Sequence, residues 1–135
     1  MIREYQARRM KDYVLPEAVY RQALWAIKDL NRLKDELNKT MEDVDAVSSH
    51  SFINESMGQG LYSDITAKKA ERLVILSSRI DSIESALFYI PERYRNGISR
   101  KLHKGGDFGD EFHPNTWKKW QQVYIYHVAK NLGLI

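Results

Sequence analysis

An all-α fold is what this sequence predicts, on three observations. Apolar residues recur at helical three-four spacing in two long stretches, a third such stripe closes the chain, and no strand-like alternation of useful length appears. The first helix is expected from Pro16, whose fixed φ and missing N–H suit a first helical position, to about Ala46, with Tyr20, Ala23, Leu24, Ile27, Leu30, Leu37, Met41 and Val44 on one face. Ser48 to Asp64 then loses the pattern and reads as a mobile loop, and Asp64 is a plausible N-cap for the next helix. Leu73, Leu76, Ile80, Ile83, Leu87 and Ile90 keep strict 3-4-3-4-3 intervals, a heptad seam. Two long helices with matching stripes are expected to pack as an antiparallel hairpin over residues 16–90, with a second copy of the chain as the alternative partner for the seam.

Beyond Pro91 a short helix is expected to end at Lys104, where Gly105 and Gly106 permit a left-handed turn. Phe108 and Phe112 are expected to tuck into the core. The last helix should start near Pro114 to Thr116, with His113, Asn115 and Thr116 as competing caps, and run to about Leu132. Trp117, Trp120, Tyr124, Val128 and Leu132 mark its apolar stripe, while Lys118, Lys119, Gln122, Tyr126 and Lys130 fall largely opposite. Residues 91–135 thus read as a helix-turn-helix-like unit, and residues 1–15 as a short basic arm carrying Arg3, Arg8, Arg9 and Lys11, expected to be mobile.

Composition narrows the class. At 135 residues, 43% hydrophobic and 29% charged, the chain can bury one core and lacks the signature of disorder. With no cysteine, neither a disulfide framework nor a thiolate metal site is available, which fits a reducing cytoplasm. The charged opening lacks the apolar run of a signal peptide, and no stretch approaches membrane-spanning length, so a cytoplasmic chain is expected. The net charge of +3 is unevenly placed. From Pro91 onward eight cations face four acids, +4, which leaves −1 for the first 90 residues. A basic segment of this kind suits a polyanion, because affinity for nucleic acid comes largely from neutralised phosphates and released counterions.

No catalytic set stands out. His50, His103, His113 and His127 include no pair at the i, i+4 spacing of two ligands on one helical face, so neither a metal nor another cofactor is expected. Ser48, Ser49, His50 and Ser51 place hydroxyls beside an imidazole without the oriented base and oxyanion site of a triad. The Gly-containing stretches lack the Gly-Lys-Ser/Thr ending of a phosphate loop. The expectation is a non-enzyme that binds double-stranded DNA. The last helix would present Asn115, Thr116, Lys118, Lys119 and Gln122 to the major groove, with Arg100, Lys101 and Lys104 adding positive charge from the helix before it. The competing reading is an ordinary helical hairpin with solvated lysines.

A resemblance points the same way. The segments Tyr13-Val-Leu-Pro-Glu-Ala-Val-Tyr20, Leu24-Trp-Ala-Ile-Lys-Asp29 and Arg32-Leu-Lys-Asp-Glu36 resemble the opening of small prophage proteins of Gram-positive bacteria. Ile83-Glu-Ser-Ala-Leu87, Ile90-Pro-Glu-Arg-Tyr-Arg-Asn-Gly97, His113-Pro-Asn-Thr-Trp-Lys-Lys-Trp120 and Tyr124-Ile-Tyr-His-Val-Ala-Lys-Asn-Leu-Gly-Leu134 resemble their close. The likeness is to the RinA/ArpU-like phage transcriptional regulators, whose C-terminal part is similar to region four of the primary sigma factors. It implies a sigma-like helix-turn-helix, control of phage gene expression, and RNA polymerase as a partner beside DNA. Gly105 to Phe112 departs from the sigma pattern, standing where its short middle helix belongs. The alternative is a phage structural, packaging or adaptor protein that oligomerises through the hairpin.

Overall fold

The structure, a computed structural model, describes residues 6–51 and 59–135, with side chains described outside 46–64. Five α-helices carry the described chain, which contains no strand: α1 (Glu17–Lys28), α2 (Leu30–Ser51), α3 (Gln59–Ser85), α4 (Glu92–Lys104) and α5 (Pro114–Asn131). The all-α expectation holds. Single 3-10 turns form at Lys11–Tyr13 and Ala86–Tyr89.

Three expected boundaries change. The helix expected from Pro16 to Ala46 is divided at Asp29, which keeps right-handed helical angles (φ −86°, ψ −1°) and still donates its N–H to the Trp25 carbonyl at 3.0 Å. Continuous apolar spacing reports a shared face, and a one-residue division that keeps helical angles leaves that face intact. The loop expected from Ser48 to Asp64 is helical at both ends, since α2 runs to Ser51 and α3 starts at Gln59; residues 52–58 lie outside the described chain. Asp64 therefore lies inside α3, past its first turn, and not at the N-cap. Ser, His, Asn and Gln cost only about 0.5 kcal/mol each in a helix, so loss of an apolar stripe does not end one. Finally, the heptad seam tightens after Ser85 into a 3-10 turn, which buries Ala86 and leaves Leu87 only half-buried.

The chain divides into two compact units: the stretch up to Leu30 with Asp81–Ile135, and Asn31–Ile80. The first, unit 1, is built around α5, against which α1, α4 and both 3-10 turns pack. Gln122 to Ile125, Val128 and Ala129 of α5 are all buried. A polar chain threads this core. The Tyr124 hydroxyl donates to the Ile83 carbonyl at 3.2 Å and so accepts from His103 Nε2 at 2.7 Å, leaving His103 Nδ1 to accept from Ser99 Oγ at 3.0 Å. Burial, with the Glu84 charge second, pushes the Tyr124 phenol well above its ordinary range, so it acts as a neutral hydrogen-bonding group. In the second unit, the Glu36 carboxylate of α2 accepts two bonds from the Arg72 guanidinium of α3, at 2.6 and 3.0 Å.

Candidate nucleic-acid interface

The joint between α4 and α5 carries basic residues on both of its helices. Pro91 precedes α4, and Gly105 at φ +70° ends it in the left-handed turn expected from the glycine pair; the Gly106 N–H then returns to the Arg100 carbonyl at 3.0 Å. Residues 105–113 continue without helix, so two helices are joined by nine residues and the middle helix of a sigma-like module is not formed. At the far side His113 is the cap: its Nδ1 accepts the Asn115 N–H at 3.1 Å, and Pro114 takes the first helical position. Asn115 and Thr116 therefore sit in the first turn of α5 and do not cap it.

An aromatic stack holds the joint. Phe108 lies parallel to Trp117, 5.3 Å between centroids, and Tyr94 packs against Phe112, Trp117 and Trp120. Trp120 is half-buried, whereas Trp117 is buried with its indole N–H unpartnered. Gly97 lets α4 approach this closely, since a Cβ there would fall 2.3 Å from the Trp117 ring. The Lys101 ammonium lies 5.7 Å from the Phe108 ring centre, and Arg100 runs along the loop with Nη2 3.8 Å from where a Gly109 Cβ would stand. The stack thus packs the connecting loop and the start of α5 against the first half of α4, with Arg100 and Lys101 reaching over the loop.

Arg100, Lys104, Lys118 and Lys119 are exposed, and among the described residues none of them pairs with a carboxylate. Lys119 rests 4.9 Å from the Trp120 ring centre. Asn115 is exposed and Thr116 half-buried. Asp107, Asp110 and Glu111 are exposed in the loop and moderate the positive charge. Arg95 is committed elsewhere: its Nε donates to the Leu87 and Ile90 carbonyls, each at 3.0 Å.

Gln122 does not belong to this surface. Its side chain is 4% exposed. Its Oε1 accepts the Ala7 N–H at 2.7 Å, and its Nε2 donates to the Ala7 and Tyr13 carbonyls at 3.3 and 3.2 Å. An amide with both ends engaged by backbone has no edge left for a base. The signal for this lies in the run Val123-Tyr-Ile-Tyr-His-Val-Ala129, which is apolar almost all round and marks a central helix with no free side.

The same bonds correct the mobile arm. Gln6 adds a reciprocal pair with Leu15, Nε2 to the carbonyl at 2.8 Å and the Leu15 N–H to Oε1 at 2.6 Å, and Leu15 is buried. Residues 6–15 are thus bonded to one another and to α5; Arg3 lies outside the described residues.

No family model, curated protein or solved structure matches this chain. No helix among the described residues is long and apolar enough to cross a membrane.

Proposed function

We propose that this protein binds double-stranded DNA as a transcriptional regulator of phage type, using the α4–α5 joint. The observation that supports this reading best is the set of exposed cations without a carboxylate partner among the described residues, Arg100 and Lys104 late in α4 and Lys118 and Lys119 early in α5, on either side of a loop that one aromatic stack packs down. Cations with no carboxylate to give up meet phosphates without breaking an ion pair, and helices already folded spare the backbone its ordering cost. Asn115 is the residue placed to read a base, because it is exposed in the first turn of α5 and an amide can pair bidentately with adenine. The resemblance to the RinA/ArpU-like regulators supports the regulatory role. With a nine-residue connection and no middle helix, readout rests on phosphate contacts more than on base edges.

Duplex binding measured at several salt concentrations tests this. Replacing Lys118 and Lys119 by Ala should weaken binding to every sequence and flatten the salt dependence by about two units of slope. Melting should be unchanged. A folded double variant with the native affinity and slope would refute the reading. A second reading, an adaptor that self-associates, draws on Val74 and Ile75 of α3, which are 68% and 55% exposed side by side. A monomer by light scattering at high concentration would remove it.

A further inference from the structure

The N-terminal stretch carries two more cations to α5. The Met10 N–H bonds the Ala7 carbonyl at 3.1 Å, closing a turn with Arg8 and Arg9 at its tip. Both are exposed, and among the described residues neither pairs with a carboxylate. The turn is held on two sides. Gln122 clamps it through Ala7 and Tyr13, and the Lys11–Tyr13 3-10 turn packs on α5, where the Tyr13 ring meets the Tyr126 ring edge-on at 5.3 Å. Gln122 comes four residues after Lys118 and three after Lys119, spacings that make neighbours on a helix surface, with Cβ atoms about 5–6 Å apart. Arg8 comes directly after the residue that Gln122 holds. The clamp therefore brings the backbone of the Arg8–Arg9 turn to a residue of α5 that lies one helical turn past the two lysines.

We propose that Arg8 and Arg9 form a second phosphate-binding element for duplex DNA, continuous with Lys118 and Lys119, and that Gln122 is the positioning residue that presents them. This rests on the DNA-binding reading above. Guanidinium groups suit the role, because their planar forks match phosphate oxygens bidentately. A buried glutamine, with a donor and an acceptor that both meet backbone, fits the clamp as an acid or an aliphatic residue would not.

The test is duplex binding over a salt series with the full chain. Arg8→Ala/Arg9→Ala should lower affinity and reduce the slope by about two units while leaving melting unchanged. Gln122→Leu removes no charge, yet it should reproduce much of that loss of affinity and slope. Trypsin supplies a readout independent of affinity. The bonds after Arg8 and Arg9 should be cut slowly in the native chain, slower still with duplex DNA bound, and quickly in Gln122→Leu. If the arginine double variant keeps the native slope while the Lys118/Lys119 variant loses it, the second element is refuted and DNA binding stands. If trypsin cuts the native chain and Gln122→Leu equally fast, the positioning role of Gln122 is refuted. If the native chain binds no duplex at low salt, both proposals fall together.

Discussion

Both units of the chain are built from helices, but they bury them very differently. In Asn31–Ile80 the buried apolar side chains among the described residues are Leu33, Leu76 and Ile80, and Val74 and Ile75 stand exposed. In the unit around α5, residues far apart in sequence converge, from Leu15 through Ile27, Ile83 and Ile98 to Ile125 and Val128, and a polar chain from Ser99 to Ile83 is satisfied inside it. Spacing fixes which residues share a helix face, whereas stability depends on how many other elements arrive to cover that face. All three tryptophans, Trp25, Trp117 and Trp120, lie in the α5 unit, so their fluorescence reports on that unit while far-ultraviolet dichroism reports on both.

The largest expected effect comes from Ile83→Asp. Ile83 is fully buried, and its carbonyl receives the Tyr124 hydroxyl. A carboxyl group there loses its solvation with no partner, at a cost of about 4 kcal/mol or more. Tryptophan fluorescence should show unit 1 unfolding at a much lower denaturant concentration. An unchanged midpoint would break the comparison, because it would mean the α5 unit is no more tightly built than its neighbour.

Gly97→Ala comes next, and its sign is diagnostic. In an open helix the change gains about 1 kcal/mol of helical propensity. Here the new methyl meets the Trp117 ring at 2.3–2.5 Å and the Phe108 carbonyl at 3.1 Å, and the ring is itself stacked on Phe108. Overpacking of about 1–3 kcal/mol should outweigh the propensity, so the variant melts lower. Stabilisation would show that α4 and α5 are free to separate, and would loosen the frame on which the proposed DNA face depends.

Legibility in the sequence depends on where each signal lives. The α4 C-terminus at Lys104, the left-handed Gly105 and a cap at the start of α5 are local, written in a few adjacent residues, and the sequence locates them within a residue or so. The exposure of Arg100, Lys104, Lys118 and Lys119 is likewise readable from helical spacing. For Gln122 the apolar run that follows it signals a covered helix, but its partners Ala7 and Tyr13 lie more than a hundred residues away and no pattern within α5 names them. The arm reads as mobile for the same reason: Gln6 and Leu15 look like a frayed start until α5 is there to receive them. The break at Asp29 lies between these cases, since the apolar face continues through it into Leu30 and Leu33.

The smallest expected effect concerns His127, and it sharpens the picture of the α5 unit at its rim. The imidazole is half-buried, stacked on Tyr89 with ring centres 3.8 Å apart and flanked by the rings of Tyr13 and Tyr126. Burial, with the Lys130 charge second, lowers its pKa below the ordinary 6.5. In the folded chain it therefore stays neutral to a lower pH than it does when unfolded. As pH falls below about 6.5 the unfolded chain takes up the proton first, so the stability contributed by neutral His127 is present above that value and lost as pH drops through the lowered folded value. His127→Gln has no proton to take up. The melting-temperature difference between native protein and His127→Gln should be largest above about pH 7 and shrink as pH falls below about 6.5. Because the other three histidines are common to both proteins, the difference isolates this one group. A difference that grows on acidification would mean that protonated His127 is favoured in the fold, and that the Tyr89 stack gains more from the cation than burial and Lys130 take away.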